Sequence, residues 1–311
     1  IKRTSLSTYR SQRRGGRGVQ GASSREEDFV EHLFIANTHS YILFFTDKGK
    51  CYWVKVYDIP EGGRAAKGRA IVNLIGCEPD EKVSAFISVK EFNEDHYVVM
   101  ATEKGMVKKT KLSAYSNPRK KGIYAVEIRD GDKLIEARVS TGDNDILLGT
   151  RNGKSIRFSE EQIRASGRKT MGVKGITLSS EDDRLVGMLL IKREGTVLVA
   201  TEKGFGKRTE ISQYRAQKRG GKGVLTMKTT DKVGKMVTIK EVVDKDDLMI
   251  ITNQGVLIRL PVAQIRSIGR ATQGVKLIKL GEGTLVSSIT RIMSEEEEDE
   301  NNNTEPTDPK E

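Results

Sequence analysis

Three arginines and three glycines fill one heptapeptide near the start of the chain, Gln12-Arg13-Arg14-Gly15-Gly16-Arg17-Gly18. Guanidinium groups pair with phosphate oxygens, often through two parallel bonds. Glycines let a backbone approach closely and offer its amides as further donors. The chemistry open to such a stretch is neutralisation of a phosphate backbone. A second, altered copy, "QKRGGKG", stands at 217–223, with Lys218, Arg219 and Lys222 in its basic positions. Gly153-Lys154-Ser155 ends like a nucleotide-binding loop but lacks the upstream glycine, and it lies between expected strands, so that reading is set aside.

Other reactive residue types are too scattered for catalysis. His32, His39 and His96 stand apart, and Cys51 and Cys77 form neither a metal-like cluster nor a disulfide framework. Acidic pairs fall in turn-like stretches such as "DGD" and "DKDD". Tyr9, Tyr115 and Tyr214 share one register, which marks them as packing anchors, since a catalytic tyrosine would be expected once. No cofactor or metal site is expected. A nuclease is the enzyme alternative, to be tested by metal-dependent cleavage.

Charge narrows the partner. The chain has 311 residues and a net charge of +11, yet residues 295–311 alone carry −8, which leaves +19 on residues 1–294. A body this positive attracts polyanions. The acidic, apolar-poor tail at 295–311 is expected to be disordered and to compete with a polyanion for the basic body. No apolar run is long enough to span a bilayer and no secretory signal heads the chain, so a cytoplasmic location is expected. The first residue is Ile1 rather than Met, as in a fragment or processed chain. Aromatic content is 5% with one tryptophan, Trp53, which disfavours single-strand stacking platforms and favours duplex DNA.

The elements that must position these charges are repeats. "ILFFTDKGKCYWV", "YVVMATEKGMVKKT", "ILLGTRNGKSIRF", "VLVATEKGFGKRT" and "LMIITNQGVLIRL" each join two apolar runs through T-x-x-G. The turn glycines Gly49, Gly105, Gly153, Gly204 and Gly255 are spaced by 56, 48, 51 and 51 residues. A second glycine follows in each repeat, at Gly68, Gly122, Gly172, Gly223 and Gly274, and Gly18 starts that series. Six repeats result, the first already under way at residue 1. The runs are short and rich in Val, Ile and Leu, and glycine turns separate them, as in strands. Each repeat has room for about four strands, in the last 247–252, 256–260, 275–280 and 284–292. One such sheet cannot bury its own faces, whereas a ring can. The expectation is an all-β, propeller-like ring of six four-stranded blades over residues 1–294.

Bases recur between the two glycines of each repeat. In chain order they are Lys2 and Arg3 with the heptapeptide; Arg64, Lys67 and Arg69; Lys108, Lys109, Arg119, Lys120 and Lys121; Arg168 and Lys169; Lys207, Arg208, Lys218, Arg219 and Lys222; Arg259 and Arg270. Equivalent positions in a ring fall at equivalent places, so these are expected to form a continuous belt that contacts phosphates without reading sequence.

The heptapeptide "QRRGGRG" at 12–18 and the six T-x-x-G repeats resemble the C-terminal domain family of bacterial DNA gyrase A subunits, over residues 1–294. The resemblance implies a six-bladed β-pinwheel that exchanges strands between blades, with Gln12 to Gly18 as the box associated with chiral DNA wrapping. It implies a non-catalytic part of a type IIA topoisomerase that performs ATP-dependent negative supercoiling. The cleaving tyrosine would lie outside this chain. ATP and Mg2+ would be used elsewhere in an A2B2 holoenzyme, which joins a second A subunit to the gyrase B subunit on the bacterial chromosome. The isolated domain is expected to be monomeric. The alternatives are the corresponding domain of a topoisomerase IV A subunit, which typically lacks an intact box, and a protein-binding β-propeller.

Overall fold

A computed structural model describes residues 1–4, 36–63, 66–254 and 257–292. The chain forms β1 (Tyr41–Thr46), β2 (Lys50–Lys55) and β3 (Val83–Val89), with one α-helical turn, α1 (Val72–Ile75), between β2 and β3. Then follow β4 (Tyr97–Thr102), β5 (Met106–Lys111), β6 (Ile123–Tyr124) and β7 (Leu134–Ser140). The next repeat gives β8 (Asp145–Thr150), β9 (Lys154–Ser159), β10 (Val173–Lys174) and β11 (Leu185–Ile191). After it come β12 (Thr196–Thr201), β13 (Phe205–Glu210), β14 (Val224–Leu225) and β15 (Met236–Val242). The last repeat supplies β16 (Asp247–Thr252), β17 (Leu257–Pro261), β18 (Val275–Lys276) and β19 (Val286–Ile292).

Five sheets, rather than six, stand among the described residues: β3-β1-β2-β6, β7-β4-β5-β10, β11-β8-β9-β14, β15-β12-β13-β18 and β19-β16-β17. The count of six rested on sequence repeats, and a repeat here is not a sheet. The outermost strand of each four-stranded sheet comes from the following repeat: β6 crosses to β2, β10 to β5, β14 to β9 and β18 to β13. Among the described residues no borrowed strand joins β17, and the last sheet has three strands. Residues 5–35, which hold most of the first repeat, lie outside the described residues, as does the acidic segment 295–311.

Four T-x-x-G stretches, ending at Gly49, Gly105, Gly153 and Gly204, close hairpins. The amides of Gly49, Gly105, Gly153 and Gly204 donate to the carbonyls of Thr46, Thr102, Thr150 and Thr201 at 2.9–3.0 Å. These glycines sit at φ between +78° and +81°, the left-handed region that side chains avoid. The threonine hydroxyl fixes the start of the second strand by accepting from Lys50, Met106 or Lys154 N–H.

The central strands carry the apolar runs and are buried on both faces: five of the six residues of β1, β4, β8 and β12 are buried. Two-faced burial means that sheets stack against one another. One core cluster joins Leu147 of β8 to Val197 and Val199 of β12 and to Met236 and Ile239 of β15. The inner strands β3, β7, β11, β15 and β19 pack in series, and the borrowed strands form the opposite, outer edge.

Candidate nucleic-acid interface

The outer loops run from a 3-10 turn after the second strand of a repeat to its borrowed strand. They lie against the preceding repeat, and the second glycine makes the approach possible. A Cβ on Gly172 would meet the Val107 carbonyl oxygen at 2.4 Å, and one on Gly223 would meet that of Ser155 at 2.3 Å. Short parallel bridges, Arg157 to Ala216 and Arg208 to Ser267, tie each loop to the strand below it. Residues 1–4 seat residues 60–63 and 66–69 in the same way: Arg3 bridges Glu61, and Arg69 N–H donates to the Ile1 carbonyl at 2.9 Å.

One arginine per loop occupies an equivalent place. Arg168 Nη1 donates to the Tyr124 carbonyl at 3.3 Å, Arg219 Nη1 to Lys174 at 3.1 Å, and Arg270 Nη1 to Leu225 at 2.8 Å. All three acceptors are the second residues of borrowed strands. The three guanidinium groups are half-buried, and none joins an ion pair among the described residues. Around them Lys67, Arg69, Arg119, Lys120, Lys121, Lys169, Lys218 and Lys222 are exposed. Lys169 Nζ stands 5.6 Å from the Tyr124 ring centre.

The basic residues on the second strands behave differently, which corrects the expected belt. Lys108 and Lys207 are 1% and 0% exposed. Lys108 Nζ donates to the carbonyls of Ala125, at 2.7 Å, and of Arg168. Lys207 Nζ donates to Gly269 at 2.7 Å, to Arg270 and to the Thr272 hydroxyl at 3.1 Å. Burial first, then the neighbouring Arg168, pulls the Lys108 ammonium down to about 7. Burial and Arg270 pull Lys207 down to about 8. Lys2, at the matching position, donates to Gly63 and Ala66 carbonyls at 2.9 Å.

Four bases at the next position are matched by acid. Lys109 is buried 3.6 Å from Glu160, and Arg208 is buried and paired with Asp244. Arg259 lies 2.5 Å from Asp247, and Arg3 lies 3.5 Å from Glu61. Lys108, Lys109, Lys207 and Arg208 therefore leave the rim by burial, and Lys2, Arg3 and Arg259 spend charge or donors on protein partners. Gln12, Arg13, Arg14, Gly15, Gly16, Arg17, Gly18 and Arg64 lie outside the described residues.

Two bases were missed from the sequence. Lys174 and Lys276 are exposed on the borrowed strands β10 and β18. Their signal was position: each stands two residues after a second glycine. Tyr115 and Tyr214, 0% and 1% exposed, are packing residues, and the Tyr214 hydroxyl lies 2.7 Å from that of Thr226. Among the described residues no three or more His, Cys, Asp or Glu side chains gather as a metal site, and no helix is long and apolar enough to cross a membrane.

The chain is similar to known proteins along nearly its whole length. A family model described as the DNA gyrase C-terminal domain, beta-propeller, matches residues 1–37, 40–90, 96–141, 144–192, 195–242 and 246–292. The DNA gyrase A subunit of Staphylococcus epidermidis is 47% identical over 300 residues, 96% of this chain and 34% of that protein. Its counterpart in Staphylococcus aureus is also 47% identical over 300 residues. The chain thus spans about a third of the length of these relatives. The crystal structure of a C-terminal domain of DNA topoisomerase IV superposes with a TM-score of 0.79 at 26% identity, covering 94% of this chain and 90% of that one. A DNA gyrase A C-terminal domain superposes at 0.76 and 22% identity, covering 94% and 96%, a likeness of fold. With matched segments running from residue 1 to residue 292, the chain belongs to the DNA gyrase C-terminal domain family of β-propellers.

Proposed function

We propose that this chain binds duplex DNA largely without regard to sequence and bends it around the outer edge of its sheets. The observation that carries this is the periodic placement of Arg168, Arg219 and Arg270, each anchored to the preceding borrowed strand and flanked by exposed lysines. Repeated phosphate contacts at one radius suit a long, smooth polyanion. They position DNA and leave strand cleavage to a tyrosine outside this chain. In the same reading the parent enzyme pairs two such A subunits with gyrase B subunits in the bacterial cytoplasm. There it uses ATP and Mg2+ for negative supercoiling, and Gln12 to Gly18 add to the DNA contacts of the rim.

The likeness to the topoisomerase IV domain supports a second reading, the C-terminal domain of that enzyme's A subunit. The intact heptapeptide at 12–18 weighs for gyrase. The proposal is tested with a fluorescently end-labelled duplex of about 65 base pairs, long enough for roughly a full turn at ~35 Å from the axis. Saturating chain should raise energy transfer between the ends. Binding without end approach would reduce the chain to a non-bending DNA binder.

A further inference from the structure

The buried lysines fall in alternate repeats. At the third residue after the turn glycine the repeats carry Tyr52, Lys108, Ile156, Lys207 and Ile258, and Lys2 takes this place in the first repeat. The loop above each lysine has one pattern, Gly-Arg followed by three residues and Gly: 63–68 over Lys2, 167–172 over Lys108 and 269–274 over Lys207. The loops above Tyr52 and Ile156 read differently, "PRKKG" at 118–122 and "KRGGKG" at 218–223. The lysines bond to backbone carbonyls at or beside the loop arginine: Gly63 and Ala66, Arg168, and Gly269 and Arg270. Ile156 has no donor to do this, the Tyr52 hydroxyl donates to Glu81 at 2.9 Å instead, and over both the loop lacks the pattern. In the loop over Ile156, a Cβ on Gly221 would lie 3.5 Å from the Ile156 Cδ1.

We propose that Lys108 and Lys207 are positioning residues for DNA binding: each pins the neighbouring repeat's loop from beneath and so fixes its rim arginine, Arg168 or Arg270, where a phosphate can reach it. The proposal rests on the DNA-binding reading above. Neither ammonium touches DNA, because both are buried under backbone. Each acts on the loop of the next repeat, as the borrowed strands do, so placement of a rim arginine is shared between two repeats.

The test compares Lys108→Met, which keeps length and removes the donors, with Arg168→Ala and the double variant in the full chain. Two readouts are taken. Hydrogen exchange at 166–172 should speed up in Lys108→Met, while 217–222, over Ile156, stays as in wild type. Duplex affinity is then measured across salt concentrations. Arg168→Ala should lower the slope of log K against log salt by about 1, the loss of one phosphate contact. Lys108→Met should lower it by a similar amount despite being buried, and the double variant should fall no further than Arg168→Ala alone. Lys207→Met with Arg270→Ala gives the same cycle in a second place, should Lys108→Met not fold. Additive slopes, or unchanged slope and unchanged exchange at 166–172 in a folded variant, would overturn the proposal. Absence of duplex binding by the wild-type chain would sink the DNA-binding reading instead, and hydrogen exchange would still judge the pinning.

Discussion

Single residues on this surface do two different jobs, and charge alone does not tell them apart. Arg168, Arg219 and Arg270 each commit Nη1 to a carbonyl and meet no acid among the described residues. Replacing all three with alanine is expected to lower the salt slope of duplex binding by about 3, one unit per lost phosphate contact. A fluorescence-anisotropy titration between low and moderate salt measures it, and an unchanged slope would mean that these arginines do not contact DNA. Lys108 and Lys207 make the opposite prediction for stability. Burial holds them near 7 and 8, whereas an unfolded lysine titrates near 10.5. Between those values the unfolded chain holds a proton that the folded chain lacks, so raising the pH through that window stabilises the fold. The cost of burying the charged form is fully present below about 7. In the double variant Lys108→Met, Lys207→Met the gain in melting temperature from pH 7 to pH 10 should shrink by a few degrees. Equal gains in both proteins would count against buried, depressed lysines.

Strands and turns were the most legible part of the sequence. Recurring T-x-x-G and the runs "YVVMAT" and "TVLVAT" mark hairpins because only glycine takes the left-handed turn and only two-faced burial accommodates unbroken apolar runs. The third strand of each repeat was hidden. In the last repeat 275–280 was expected, and Val275–Lys276 forms, paired to a different repeat. Nothing in a two-residue strand announces its partner. The burial of neighbouring Lys108 and Lys109 was equally hidden. Strand alternation turns them to opposite faces, yet both are covered, because each face of the sheet packs against something. Glycine positions test this level directly. Gly172→Ala would push a Cβ to 2.4 Å from the Val107 carbonyl and should cost at least about 2 kcal/mol. Gly167→Ala, in the same loop with nothing within 4 Å, should change stability by about 1 kcal/mol or less. Chemical denaturation of the two variants compares them, and equal midpoints would refute the close seating of the loop.

At the scale of the whole molecule, mechanics sets what the proposed wrapping would demand of the rim. Bending a duplex through half a turn at ~35 Å from the axis costs on the order of 13 kcal/mol with a persistence length of about 500 Å. No single arginine offsets that, whereas contacts repeated along several loops can, through counterion release. Periodicity of charge was readable in the sequence because it follows the period of the turns. The division of that charge between rim and interior was not, because it depends on how one repeat sits on the next. The most direct measurement is the linking number of a nicked circular duplex sealed by ligase with the chain bound at saturation. Wrapping predicts a shifted topoisomer distribution that shrinks in the Arg168, Arg219 and Arg270 triple alanine variant. A distribution identical to that of free DNA, with the duplex shown to be bound, would contradict the account.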